Sequence, residues 1–144
     1  MENPNTPKLG NQICFPLYVI AKEITGMYRP FLDELDLTYS QYLVMMVLWE
    51  NDGLTVNQIG EKLYLDSGTL TPLLKRLEVK SLLQRNRKKE DERVVEVSLT
   101  EQGKNLQMKA CAIPGKMVEK LNISADDLAE LKTTVDKILN KIEK

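Results

Sequence analysis

Residues 55–99 read TVNQIGEKLYLDSGTLTPLLKRLEVKSLLQRNRKKEDERVVEVSL, and the fold turns on how the period changes along this stretch. Thr55-Val-Asn-Gln58 is a capping box: a threonine hydroxyl and a glutamine side chain three residues apart satisfy each other's free backbone N–H groups. It opens a short helix that should end near Leu63. Tyr64-Leu-Asp-Ser-Gly-Thr69 then reads as a turn, with Asp66 placed to cap a second helix. That helix gathers Leu70, Leu73, Leu74 and Leu77 on one face. Pro72 falls early in it, where a missing N–H costs little. After Lys80-Ser81 the pattern alternates instead. Leu83 to Arg87 and Val94 to Leu99 read as two strands, joined by the charged tip Lys88-Lys-Glu-Asp-Glu92.

Short helix, turn, helix and two-stranded hairpin make a winged helix-turn-helix. The flanks are helical. Asn11 to about Glu34 places Ile13, Leu17, Ile20, Ile24 and Met27 at three- and four-residue steps. Pro16 is tolerable in its first turn, and Pro30 should end or kink it. Thr38-Tyr-Ser-Gln41 is another capping box, opening an apolar helix through Trp49, with Gly53 as its stop. Thr100 caps a helix interrupted near Pro114-Gly115. Ser124 caps a last one with Leu128, Leu131, Val135, Ile138 and Leu139 on one side. The expectation is a mostly α chain with a small β-hairpin wing. Residues 1–10 form a flexible arm and 11–144 a single domain, in which 38–99 is the winged lobe and 11–35 and 101–144 are dimerisation helices.

Bulk properties narrow the function. The 144 residues are 42% hydrophobic and 28% charged, enough for one domain with a real core. The longest apolar run, Tyr42 to Trp49, is far short of a membrane span. The polar start with Pro4 and Pro7 has no signal-peptide pattern, so a cytoplasmic protein with reduced thiols is expected. Cys14 and Cys111 are too far apart in sequence to suggest a metal site, and no metal or cofactor is expected. The chain has no histidine, which removes the usual general base of a cysteine hydrolase and argues against an enzyme.

Net charge is −1, but between Lys75 and Arg93 eight cations face four anions, a local +4 that leaves −5 for the rest. A basic island on an acidic body suits one phosphate-facing surface. In a helix-turn-helix the second helix lies in the major groove of double-stranded DNA. Ser67, Thr69 and Thr71 offer short hydroxyls there, with Lys75 and Arg76 one turn on. The plainer alternative is that the hydroxyls cap the helix and the cations solvate it. In the wing, Arg85 adds charge, and Arg93 is the candidate for the narrow minor groove. Asp91, two residues earlier, is placed to pair with Arg93 and fix its direction.

Cys14 lies in the first turn of its helix, where the dipole favours the thiolate that attacks peroxides. Tyr18 is one turn away, and Tyr28 and Tyr39 are near in sequence; their hydroxyls could donate to a thiolate. The alternative is a small buried cysteine among core aromatics. Cys111, on another helix, is either a resolving thiol or core filler.

The run Leu65-Asp-Ser-Gly-Thr-Leu-Thr-Pro-Leu-Leu-Lys-Arg-Leu77, followed by Glu90-Asp-Glu-Arg93, resembles the MarR family. With Asn11-Gln-Ile-Cys14 and Tyr39-Ser-Gln-Tyr42 the chain resembles that family's organic-hydroperoxide-sensing, OhrR-like branch, over about residues 10 to 115 and more loosely the last helix. The resemblance implies a homodimer held by the terminal helices. It implies Cys14 as the peroxidatic thiol, with Tyr28 and Tyr39 hydrogen-bonding it across the dimer interface. It implies DNA contacts from the Ser67–Arg76 stretch and a wing arginine, Arg93, held by Asp91. Oxidation is completed in that branch by a small thiol or by a second cysteine of the other subunit, and Cys111 stands on the helix expected for the latter. The expectation is therefore a repressor on a pseudo-palindromic operator, released when organic hydroperoxide oxidises Cys14. The rival is a repressor of the same type released by a small aromatic ligand; it would survive loss of Cys14. A thiol peroxidase is the third reading and would show peroxide turnover.

Overall fold

The computed structural model describes residues 3–142 and falls into two compact units, the first ending at Cys111 and the second starting at Ala112. Of the expected N-terminal arm, residues 1 and 2 lie outside the described residues.

The first unit opens with a 3-10 turn, Leu9–Asn11, and α1, Cys14–Met27. The helix expected from Asn11 to about Glu34 is interrupted at Pro30, as expected: α1 ends at Met27, and α2 is a separate short helix, Arg29–Asp33, with Pro30 in its first turn. Proline has no N–H to extend α1 and a φ suited to starting a helix. The helix α3, Tyr39–Glu50, starts on the expected box, Thr38 Oγ1 accepting from Gln41 N at 3.3 Å and Gln41 Oε1 from Thr38 N at 3.0 Å. After β1, Leu54–Thr55, come α4, Val56–Leu63, and α5, Ser67–Val79. The hairpin is β2, Leu83–Arg87, and β3, Val95–Leu99, and α6, Glu101–Ala110, closes the unit.

The expected two-stranded wing is part of a three-stranded antiparallel sheet ordered β1-β3-β2, because Leu54 pairs with Val97 and Thr55 with Glu96. Two residues are too few to show an alternating pattern. Across β2 and β3, Leu83 faces Leu99, Arg85 faces Val97 and Arg87 faces Val95, so these six share one side of the sheet. Val44, Met45 and Leu48 of α3, Ile59 of α4, Leu70, Leu74 and Leu77 of α5, Leu83 and Val97 are all but fully buried. That core fixes the sheet against α5 through apolar contact.

Gly103 in α6 is dictated by a close approach. A Cβ there would stand 2.0 Å from the carbonyl oxygen of Leu82, while Gly103 O accepts from Trp49 Nε1 at 2.9 Å. Gly103→Ala should cost about 3 kcal/mol of stability, at the upper end for overpacking, since the obstacle is backbone. Chemical denaturation checks this, and an unchanged midpoint would contradict it.

In the second unit α7, Ile113–Leu121, begins before Pro114, so the expected interruption falls at Cys111–Ala112 and the proline sits in a first turn. Asn122 takes the left-handed conformation at its end, and Ser124 Oγ caps α8, Ala125–Ile142, accepting from Asp127 N at 3.1 Å. Leu131, Val135, Ile138, Leu139 and Ile142 of α8 are exposed, as are Ile13, Phe15, Leu17, Tyr18, Val19 and Ile20 in the first unit. Among the described residues no helix is long and apolar enough to cross a membrane.

Candidate nucleic-acid interface and thiol site

The turn between α4 and α5 is tight. Tyr64 is left-handed (φ 57°), and Leu65 N donates to Gly60 O at 2.9 Å. A Cβ on Gly60 would lie 2.6 Å from Leu65 O, so only glycine lets the two helices approach this closely. Asp66 then caps α5 as expected, its Oδ1 accepting from Thr69 N at 2.6 Å, and that bond holds its carboxyl below the usual range.

Ser67, Thr71 and Lys75 are spaced by four residues and lie on one face of α5. With Asn57 of α4 and Arg85, Arg87 and Arg93 of the wing they line a groove of about 620 Å³. Of the expected DNA-facing residues the groove gathers Ser67, Thr71, Lys75, Arg85 and Arg93. Thr69 and Arg76 are exposed on α5 but do not line it. Asn57 and Arg87 were not among the expected residues. The two-residue step from Arg85 to Arg87 could have exposed Arg87, whereas nothing in the local pattern marks Asn57.

The three wing arginines differ in what they bond. Arg93 is 91% exposed, and both its guanidinium and its backbone N–H bond Asp91: Nε and N to Oδ1 at 3.1 Å, one terminal nitrogen to Oδ2 at 3.3 Å. These bonds hold the Asp91 carboxyl below its ordinary range. Arg87 donates to Glu92 O at 2.8 Å. Arg85 is turned inward onto Glu78.

Cys14 is the first residue of α1 and is exposed. Tyr28, at the joint of α1 and α2, packs on Tyr39 and Tyr42 of α3, with ring centroids 5.0 and 5.9 Å away, and Tyr42 meets Trp49 at 6.3 Å. Burial pushes the Tyr28, Tyr39 and Tyr42 hydroxyls above their ordinary pKa, so at neutral pH they stay protonated and can donate. Tyr42 and Trp49, which the sequence presents only as part of an apolar helix, complete this aromatic group. Tyr18 is not part of it: the residue is 68% exposed and its ring makes no ring contact among the described residues. Cys111 is an exposed free thiol at the end of α6, its Sγ donating to Gln107 O at 3.2 Å. It is close enough for its charge to add to the upward shift of Tyr42.

Against known proteins, the family model for the transcriptional regulator SarA/Rot matches residues 26–109. The chain is 50% identical to the organic hydroperoxide resistance transcriptional regulator of Bacillus subtilis, over 94% of this chain and 92% of the relative. Among solved structures it is similar to reduced AbfR bound to DNA, with 33% identity, a TM-score of 0.81 and 93% and 94% of the two chains covered. It is also similar to AbfR in its disulfide form, with 34% identity, a TM-score of 0.63 and 93% and 89% covered.

Proposed function

The chain belongs to the MarR/SarA family of DNA-binding transcription regulators, and from that premise we propose a cytoplasmic homodimeric repressor that leaves its operator when organic hydroperoxide oxidises Cys14. One observation carries the reading: a chain this similar to a hydroperoxide resistance regulator has an exposed thiol at the first residue of a helix of 14 residues. A helix start stabilises the thiolate.

The chemistry is a two-electron oxidation. The Cys14 thiolate attacks one oxygen of the hydroperoxide; an S–O bond forms, the O–O bond breaks, and the alkoxide leaves and takes up a proton to give the alcohol. The sulfenic acid then condenses with a second thiol, forming a disulfide and water. That thiol is Cys111 of the partner subunit or a small cellular thiol. Homodimerisation is supported by the exposed apolar faces on α1 and α8, which a solitary soluble chain rarely presents. In the dimer, residues 38–99 form the DNA-reading lobe and the helices of 11–35 and 101–144 the dimerisation elements. The groove lined by Ser67, Thr71, Lys75 and Arg93 faces double-stranded DNA, with α5 in the major groove and the wing toward the minor groove.

Tyr28 and Tyr39 are the donors to the thiolate in this reading, and burial leaves their hydroxyls protonated at neutral pH. Tyr28→Phe or Tyr39→Phe should slow oxidation of Cys14 by organic hydroperoxide about tenfold, the value of one hydrogen bond to a charged group, with reduced-state DNA binding retained. The rate of Cys14 oxidation, followed by mass spectrometry, checks this. The same rate in wild type and both variants would leave the tyrosines as packing alone.

The proposal as a whole is tested by titrating labelled operator DNA with reduced and hydroperoxide-treated protein. Affinity should fall by about 5- to 150-fold on oxidation, the usual span of an allosteric coupling.

A further inference from the structure

Beside the groove read as binding phosphates, in a small pocket shared with Arg85, Arg87 and Val95, stands an anion. Glu78 lies in the last turn of α5, and its carboxylate takes two bonds from Arg85 of β2: Oε2 from the backbone N–H at 2.9 Å and Oε1 from the guanidinium at 3.1 Å. Strand β2 is an edge of the sheet, so that N–H has no strand partner on its outer side, and the helix supplies the acceptor. The Arg85 side chain is 23% exposed and shares its side of the sheet with buried Val97, its cross-strand partner. Its Nε is buried. The guanidinium therefore points toward α5, while part of the side chain still lines the groove.

Two further bonds continue outward from this joint. Arg87, the next residue on the same side of β2, donates to Glu92 O at 2.8 Å, which ties the strand to the hairpin tip. The residue after Glu92 is Arg93, bonded to Asp91. A line of connected groups thus runs from the last turn of the recognition helix to the exposed wing arginine.

We propose that Glu78 is a positioning residue: through Arg85 it locks the wing to α5 and so sets where Arg93 stands when α5 is seated in the major groove. The inference rests on the winged-helix reading of DNA binding. It assigns Arg85 to the lock instead of to a phosphate. Coulomb's law alone gives the opposite expectation for Glu78, since removing an anion from a phosphate-facing surface strengthens binding to any DNA. Fixing the spacing of two elements that enter different grooves gains affinity only where both grooves are engaged. The Arg85 bonds hold the Glu78 carboxyl below its ordinary range, so the lock stays ionised through neutral pH.

The test measures full-length reduced protein on operator DNA and on a scrambled duplex, across a salt series, for wild type, Glu78→Ala, Glu78→Gln, Arg85→Ala, the Glu78→Ala/Arg85→Ala double variant and Arg93→Ala. Glu78→Ala should lose about fivefold or more in operator affinity, the lower end of a coupling between two parts of a protein, while its affinity for scrambled DNA holds or rises. Arg85→Ala should match it with the wild-type salt slope, and the double variant should be no worse than either single one, as for two ends of one contact. Glu78→Gln, which keeps an oxygen for the N–H but no charge, should fall between, and it carries the test if Glu78→Ala does not fold. Glu78 variants that bind operator as tightly as wild type, or tighter, would overturn the proposal. So would an Arg85→Ala salt slope lower by about one, the sign of a lost phosphate contact. If Arg93→Ala is equally silent, the winged-helix reading itself fails; if Arg93→Ala loses affinity while the Glu78 variants do not, only the lock is wrong.

Discussion

Cys14→Ser protein is expected to bind operator DNA within about twofold of wild type and to stay bound when cumene hydroperoxide is added, whereas oxidised wild type loses about 5- to 150-fold. Serine in place of an exposed thiol at the first helical residue changes one atom and suits a helix start, so folding and reduced-state binding should be untouched. What disappears is the sulfur whose oxidation state reports the signal. Cys111→Ser should separate the two ways of finishing the oxidation. If Cys111 of the partner subunit resolves the sulfenic acid, this variant still oxidises at Cys14 but forms no covalent dimer on a non-reducing gel, and its release depends on added small thiol. A repressor released by a small aromatic ligand would respond equally well with serine at both positions.

Arg93→Ala is the second large effect. Arg93 is 91% exposed and among the described residues bonds only the neighbouring Asp91, so little folded-state stability rests on it, because solvent screens an exposed ion pair. In the proposed DNA complex the same side chain is placed for the narrow groove, where potential is most negative. Its loss should cost about 1–3 kcal/mol of operator binding, the range for a directed arginine contact, with melting temperature and dimerisation unchanged. Asp91→Ala should weaken binding by less, because the arginine survives and loses only its orientation. The lowered Asp91 carboxyl sets the sign with pH. The Asp91–Arg93 pair is complete above the ordinary carboxylate range and is lost only as pH falls through the depressed value, so operator affinity around neutral pH should owe no pH dependence to it. Titration of labelled operator by each variant is the measurement, and wild-type affinity in Arg93→Ala would remove the wing from the interface.

Local chemistry made much of this fold legible in the sequence. Thr38, Thr55, Asp66, Thr100 and Ser124 each cap the helix they were expected to cap, because a cap depends on side chains within three residues of one another. The hairpin was legible for a similar reason: alternation needs only one strand's own residues. The misses are tertiary. Strand β1 exists because Leu54 and Thr55 meet β3 some forty residues later, a pairing that two residues cannot announce. The aromatic group of Tyr28, Tyr39, Tyr42 and Trp49 is brought together by the packing of α3 against the joint of α1 and α2, which the apolar pattern of α3 does not reveal. Arg85 reads in sequence as one more cation in a basic island. Only the turn through Ser81, with φ 62°, brings it back onto Glu78.

The central claim, that oxidation at Cys14 is the event that frees the DNA, is tested most directly by one titration of wild-type protein. Labelled operator and protein are held at a fixed ratio while cumene hydroperoxide is added in steps, and the fraction of DNA bound and the mass of the Cys14 peptide are read from the same samples. The account predicts that bound DNA falls in proportion to Cys14 carried to sulfenic acid or disulfide. DNA that stays bound with Cys14 fully oxidised, or leaves while Cys14 is still a thiol, would contradict it.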